Sequence, residues 1–199
     1  MESTSNTDNK NYFNDEILNY EIQNYLGKKL KFSELFENKG AIISFIRHFN
    51  WYVCRDFVLE LAKVPEDKLK ESDYDLYVIG CGKYNRIKSF SDETKMPVDK
   101  IFVDNSLGLY NLLGLKHANS FSEIKGDGKK SEETKSSVVG GLLWSFYKTV
   151  TKGMQGDVYQ LGGSFIVQPG GKVLFSHLDK SSEDHINIKE FLLSAGIKL

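Results

Sequence analysis

The residues best suited to chemistry lie between Ile42 and Val64, in the stretch IISFIRHFNWYVCRDFVLELAKV. An apolar run ends at a polar turn that contains Arg47 and His48, and Cys54 follows where a helical period begins. Free backbone N–H groups and the helix dipole favour an anion in the first turn of a helix, so this position stabilises a nucleophilic thiolate. Arg47 can add positive charge, and His48 can accept a proton or donate a hydrogen bond to the thiolate.

The same cysteine also fits a purely structural role. Cys54 shares a helical face with Phe57, Val58 and Leu61, and this is the face expected to pack into the core. Free cysteines are among the most buried residue types, and a buried thiol is usually unreactive. Periodicity therefore leaves two alternatives open for Cys54: a reactive thiol, or a small apolar residue under a helix.

A second cysteine follows the next apolar run. Cys81 lies in the turn IGCGKY, and the carboxyl ends of neighbouring parallel strands open on the same edge of a sheet. Cys81 can therefore resolve an oxidised Cys54, or it is a small residue accepted in a tight glycine turn. The glycines around it match no nucleotide-binding pattern, and no histidine pair shows zinc-ligand spacing, so we expect no metal and no bound cofactor.

Two histidines and two aspartates follow the last apolar run of the chain: His177, Asp179, Asp184 and His185. Histidine paired with aspartate can serve acid–base chemistry. Polar residues at turns more often hydrogen-bond a loop in place, and we interpret these four residues in that structural sense.

The elements that must position these residues follow the pattern of an α/β fold. Apolar, β-branched runs predict strands at 41–46, 75–80, 101–104, 163–168 and 172–178. Helical periods predict helices at 52–63, 84–94, 138–150 and 188–197, with a further turn or helix at 107–115. Parallel strands first and a hairpin last predict a thioredoxin-like fold: a central mixed sheet with helices on both faces, an N-terminal extension and a helical and loop insertion.

Composition limits where and how the protein works. The 199 residues favour one domain at 11–199, after a disordered polar tail at 1–10 and with a mobile loop at 121–137. A net charge of −1 offers no field for nucleic acid, and no segment approaches the about 18 apolar residues that cross a membrane. The polar N-terminus shows no signal peptide and two cysteines make no disulfide framework, so we expect a reducing, cytoplasmic location.

Four segments in register resemble the peroxiredoxin-like branch of the alkyl hydroperoxide reductase/thiol-specific antioxidant (AhpC/TSA) superfamily. They are FIRHFNWYVCRDFVLELAKV, YVIGCGKYNRIKSF, IFVDNSLGLYNLLGL and GDVYQLGGSFIVQPGGKVLFSHLDKSSEDH, within a likeness that spans residues 30–197. The resemblance implies a thioredoxin-like fold and a thiol-dependent antioxidant protein that reduces peroxides through Cys54. It also implies an external thiol reductant of the thioredoxin or glutathione type, and it leaves a homodimer open.

The resemblance carries site residues over position by position. Cys54 matches the second cysteine of the branch's C-x-x-C motif and is the candidate peroxidatic thiol, with Cys81 as its candidate resolving partner. Trp51 stands in place of the first cysteine, and Gly162 stands where related peroxidases carry a late-strand arginine, which leaves Arg47 as the candidate stabiliser of thiolate and peroxide. The substrate pocket implied by the resemblance comprises His48, Phe49, Trp51, Gly162 and Gly163. The absence of the first cysteine and of the late-strand arginine supports the alternative of a non-catalytic binding or regulatory module in which Cys54 is structural.

Overall fold

One mixed sheet of seven strands organises the part of the chain that the structure describes. The computed structural model describes residues 12–120, 123–124, 145, 156–182 and 184–198. The strands are β1 (Glu21–Gln23), β2 (Lys29–Lys31), β3 (Gly40–Ile46), β4 (Tyr74–Gly80), β5 (Ile101–Val103), β6 (Gly163–Gln168) and β7 (Lys172–Leu178). Their order across the sheet is β2-β1-β5-β4-β3-β6-β7, in which β4 pairs in parallel with β3 and β5 and the other neighbours pair antiparallel.

Helices cover both faces of this sheet. The α-helices in the described residues are α1 (Asp15–Leu18), α2 (Tyr52–Leu61), α3 (Glu66–Glu71), α4 (Ile87–Thr94), α5 (Gly108–Leu112) and α6 (Ile188–Ser194). Short 3₁₀ turns lie between them at Phe32–Phe36, Tyr84–Arg86 and Val98–Lys100. None of the helices in the described part of the chain has the length and apolar character needed to cross a membrane.

The sheet separates two apolar cores. Strand β3 is buried along its whole length and sends alternate side chains to the two sides, such as Ile42 to one core and Ile43 to the other. The first core contains Cys54 and packs beneath α2, α3, α4 and α6. The second core contains Cys81 and packs beneath α1 and α5. Because side chains alternate along a strand, a strand buried in this way needs cover on both faces, and the two helical layers supply it.

The predicted thioredoxin-like arrangement is confirmed. The late hairpin has the predicted limits, 163–168 and 172–178, and Gly170 and Gly171 turn the chain between them with φ values of 80° and 85°. Glycine tolerates this backbone region because it lacks a Cβ. The predicted helices at 52–63 and 84–94 appear as α2 and as a 3₁₀ turn that leads into α4.

The structure also contains elements that the sequence pattern does not predict, namely α1, β1 and α3. The predicted tail at 1–10 lies outside the described residues. The same holds for the predicted loop at 121–137 and helix at 138–150, apart from residues 123, 124 and 145. The limits of the domain therefore stay a prediction.

Candidate active site

The candidate site lies at the carboxyl end of β3, where the chain turns into α2. Arg47 and His48 follow the last residue of the strand directly. Trp51 is the N-cap residue of α2, and Cys54 is the third residue of the helix. The structure thus places Cys54 in the first helical turn, as predicted from the sequence.

A buried tyrosine on α5 fixes this end of the sheet. The hydroxyl of Tyr110 lies 2.7 Å from the carbonyl oxygen of Ile46 and 2.9 Å from that of Ile79. Burial raises the pKa of Tyr110 well above its ordinary value, so the phenol stays a neutral hydrogen-bond donor. Tyr110 therefore holds β3 and β4 together just before the turns that carry Arg47 and Cys81.

Cys54 combines a core position with charged neighbours. The side chain has no exposed surface and packs in the first core, with Phe57 and Leu61 of the same helical face. The thiol also lies close enough to the Arg47 guanidinium and the His185 imidazole to interact electrostatically with both. The surroundings of Cys54 are therefore not purely apolar.

The Arg47 guanidinium is buried and has one donor nitrogen to spare. Its Nε donates to the carbonyl oxygen of Gln160 at 3.2 Å, and its Nη2 donates to the carbonyl oxygen of Val158. Its Nη1 is buried and meets no hydrogen-bond acceptor among the described residues. Its central carbon lies 4.6 Å from the centre of the Trp51 ring. A buried donor without an acceptor is uncommon, and here it is available to an oxygen atom that enters the site.

His48 and Phe49 lie deeper than a pocket lining would require. Burial, together with the charge of Arg47, lowers the pKa of His48 to about 3, so the imidazole is neutral at physiological pH. Its Nδ1 accepts a hydrogen bond from the backbone N–H of Asn50 at 3.3 Å. Phe49 packs against Phe90 of α4, with ring centres 4.7 Å apart. His48 is thus a weak base, and Phe49 contributes to the core that supports the turn.

The glycines that begin β6 leave no room for side chains. A Cβ at Gly162 would collide with the carbonyl oxygen of Phe45 and lie 2.9 Å from Oδ2 of Asp179. A Cβ at Gly163 would lie 2.7 Å from the carbonyl oxygen of His177. An arginine therefore has no space at position 162 in this backbone, and a buried carboxylate lies beside it instead.

Sequence reasoning missed the part that Asp179 and His185 play in the site. Nδ1 of His185 lies 3.0 Å from Oδ2 of Asp179, and both side chains are buried. Burial alone would lower the pKa of His185, but Asp179 and Cys54 raise it to about 10. Burial raises the pKa of Asp179, while the neighbouring His185 and His177 lower it. The loop-bonding interpretation suits His177, whose Nε2 lies 2.9 Å from the carbonyl oxygen of Asp184.

Cys81 lies near the site but in the other core. Its thiol contacts the carbonyl oxygen of Arg47 and lies 3.9 Å from that of Asp157. Burial raises the pKa of Cys81 to about 12, so this thiol stays protonated. Both cysteines are free, and they belong to cores on opposite sides of the sheet. A disulfide between Cys54 and Cys81 would require movement from this conformation, and the resolving role of Cys81 stays a prediction.

Comparison with known proteins gives one consistent result. The family described as AhpC/TSA antioxidant enzyme matches residues 60–181, which begin after Cys54. Peroxiredoxin-like 2C of Mus musculus is 36% identical over 175 residues, which cover 86% of this chain and 75% of that protein. Peroxiredoxin-like 2C of Homo sapiens is 35% identical with the same coverage. A match to 86% of the chain necessarily includes α2, so these relatives extend the likeness to the Cys54 segment.

A solved structure shows a similar fold. The crystal structure of a mutant of the Peroxiredoxin 6 of Arenicola marina superposes with a TM-score of 0.62 at 18% sequence identity. The superposition covers 89% of this chain and 69% of that one. At this identity the likeness concerns the fold alone.

Proposed function

Because the chain belongs to the peroxiredoxin-like AhpC/TSA antioxidant family, we propose that it reduces peroxides through the thiol of Cys54. One observation carries the proposal. The first turn of α2 places Cys54 within electrostatic range of the buried guanidinium of Arg47, whose Nη1 has no acceptor among the described residues. A thiolate and a peroxide oxygen are the two groups that such a donor and such a helix end stabilise.

The reaction needs no bound cofactor. The thiolate sulfur of Cys54 attacks the terminal oxygen of the peroxide, the O–O bond breaks, and hydroxide or alkoxide leaves and takes up a proton. Cys54 is then a sulfenic acid, the first stage of cysteine oxidation. Nη1 of Arg47 donates a hydrogen bond to the oxygen on which negative charge develops. An external thiol next attacks the sulfenic sulfur and releases water, and a second thiol reduces the resulting mixed disulfide.

The buried charges favour this function over a structural Cys54. Placing a guanidinium, an imidazole and a carboxylate in an apolar interior costs free energy unless the groups compensate one another. Arg47, Asp179 and His185 are all buried around this end of α2. A non-catalytic module would gain nothing from that cost, whereas a thiol peroxidase uses the charges to hold its nucleophile ionised.

Burial of the thiol sets a condition on the reaction. Cys54 has no exposed surface, so a peroxide reaches it only when the side chains around it open. We therefore expect turnover to be limited by opening as well as by chemistry. A small peroxide such as hydrogen peroxide needs the smallest opening and is the first substrate to test.

An external thiol, of the thioredoxin or glutathione type, is the reductant that this geometry favours. Cys81 is protonated at neutral pH and belongs to the other core, and both features oppose its attack on oxidised Cys54. If Cys81 does resolve Cys54, the oxidised protein loses two hydrogen masses, which intact mass spectrometry detects.

Peroxide consumption by the purified protein tests the proposal. Hydrogen peroxide and cumene hydroperoxide are each mixed with the protein and dithiothreitol, and the loss of peroxide is followed for the wild type, Cys54→Ser and Cys81→Ser. We expect the wild type and Cys81→Ser to consume peroxide and Cys54→Ser to match buffer alone. Equal consumption by Cys54→Ser and the wild type, or none by either, would contradict the proposal and favour the non-catalytic module.

A further inference from the structure

A buried carboxylate–imidazole pair lies against the helix that carries Cys54. Nδ1 of His185 lies 3.0 Å from Oδ2 of Asp179. The imidazole stacks on the Phe57 ring, with centres 4.5 Å apart and planes inclined by 21°. Phe57 follows Cys54 by one helical turn on the same buried face of α2. The stack therefore holds the imidazole beside the thiol.

The second nitrogen of this imidazole has no partner in the described part of the chain. Since the Asp179 carboxylate faces Nδ1, that nitrogen carries a proton and Nε2 is the free position. Nε2 is buried and meets no hydrogen-bond partner among the described residues, while the Cys54 thiol interacts with the same ring. Of the two groups that interact electrostatically with this ring, Asp179 and Cys54, the thiol is the one that has a proton to give.

We propose that the proton of Cys54 transfers to Nε2 of His185, which makes a buried thiolate–imidazolium pair with Asp179 as its positioning residue. The S–H bond breaks and the Nε2–H bond forms, so charge is separated within the cluster but its total does not change. With the pair formed, Arg47 and His185 carry two positive charges against the negative charges of Asp179 and Cys54. Buried charges that alternate in this way stabilise one another.

Electrostatics within the structure supports the charged form of the imidazole. Burial disfavours it, but the Asp179 carboxylate and Cys54 outweigh burial and raise the pKa of His185 to about 10. Other titratable groups face the cluster from the surrounding elements: His177, Asp184, Cys81 and Asp157. Nε2 of His177 lies 3.6 Å from Oδ1 of Asp179.

His185 then has a second task, which rests on the proposed peroxide reduction. When the thiolate attacks and the O–O bond breaks, the leaving hydroxide or alkoxide takes the proton from Nε2. The products are Cys54 sulfenic acid, neutral His185 and water or an alcohol. His185 would be a catalytic residue, because it supplies the proton that the leaving oxygen needs.

Thiolate absorbance tests the pair without requiring access to the buried sulfur. The ultraviolet absorbance of the native protein is titrated in a Cys81→Ser background and referenced to the same protein with Cys54→Ser. We expect the titration to contain a thiolate step that depends on Cys54. His185→Gln should move the midpoint of this thiolate titration upward by about 1–3 pH units, and Asp179→Asn should move the same midpoint in the same direction. His117→Gln, which removes an exposed histidine, serves as the matched control and should leave it in place. Equal midpoints in His185→Gln and the control would overturn the proposal.

A reciprocal measurement keeps the test valid if His185→Gln does not fold. Nuclear magnetic resonance of the His185 ring follows its titration in the wild type and in Cys54→Ser, which changes one atom. The midpoint should lie near 10 in the wild type and fall when the thiolate is removed. The same midpoint in both proteins would overturn the pair. A protein that shows the pair but consumes no peroxide would instead contradict the proposed function alone.

Discussion

The guanidinium of Arg47 lies over the ring of Trp51, with 4.6 Å between its central carbon and the ring centre. Trp51 caps α2 at the position where the related motif carries its first cysteine. The face of an indole ring attracts a cation, so Trp51 holds Arg47 at the start of the helix. A positioning ring thus stands in place of the first cysteine of the motif.

Replacing Trp51 should weaken catalysis without removing the nucleophile. Trp51→Leu removes the cation–π contact, which is worth about 1–2 kcal/mol when partly desolvated, and should lower kcat/KM for hydrogen peroxide about 5- to 30-fold. Trp51→Phe keeps an aromatic face and should retain most of the activity. Steady-state kinetics of the two variants measures the difference, and equal losses in both would show that the ring face is not what matters.

Arg47→Lys tests the role of the free guanidinium nitrogen. Lysine keeps the charge but lacks the planar fork that bonds two carbonyl oxygens and leaves Nη1 free. Loss of a preorganised donor to developing charge should lower kcat/KM about 10²–10³-fold. Arg55→Lys is the matched control, since the Arg55 guanidinium pairs with Asp56 at 2.7 Å. Similar kinetics for Arg47→Lys and this control would exclude the proposed role.

Gly162→Ala should destabilise the fold at the edge of the site. The added methyl group would collide with the carbonyl oxygen of Phe45 and lie 2.9 Å from Asp179, so backbone must move, at a cost of about 1–3 kcal/mol. Gly196→Ala is a useful comparison, because its φ of 77° strains alanine but nothing lies within 4 Å of the new atom. Urea unfolding at neutral pH compares the two. A stability of Gly162→Ala equal to that of the wild type would mean that the start of β6 is loosely packed.

His48 should make the protein less stable in acid. Its pKa is about 3 in the folded protein, below the ordinary value of 6.5, so the unfolded chain takes up the proton first. Stability should therefore fall by about 1.4 kcal/mol for each pH unit below 6.5, until the folded protein is protonated as well. His48→Gln should flatten this part of the profile in urea unfolding measured against pH. A profile unchanged by His48→Gln would show that His48 is solvated.

The sequence predicts the parts of the fold whose own residues determine them. The run at 41–46 is apolar except for Ser44 and is buried throughout, and the glycines after residue 169 require the turn that they form. Strand β1 is different, because Ile22 is its only buried residue and three residues are too few to establish an alternating pattern. Its pairing with β2 and β5 makes it a strand, and no local sequence pattern predicts that pairing.

For the site as well, the sequence predicts the residues that local structure brings together and misses those that come from distant parts of the chain. Cys54 and Arg47 lie seven residues apart on one turn and helix, so their proximity follows from local structure. Asp179 and His185 reach the same point from the far end of the chain, because β7 lies beside β6 and the segment after it folds over α2. A histidine six residues after an aspartate is a weak signal by itself, and the sequence does not show that this histidine meets α2.

Trapping the oxidised cysteine tests the central claim most directly. Reduced native protein is given one equivalent of hydrogen peroxide in the presence of dimedone, which reacts with sulfenic acids, and the adduct is located by peptide mass spectrometry. We predict an adduct on Cys54 and none on Cys81, whose thiol is buried and protonated. An adduct on Cys81 alone, or on neither cysteine until the protein is unfolded, would contradict a peroxidatic Cys54.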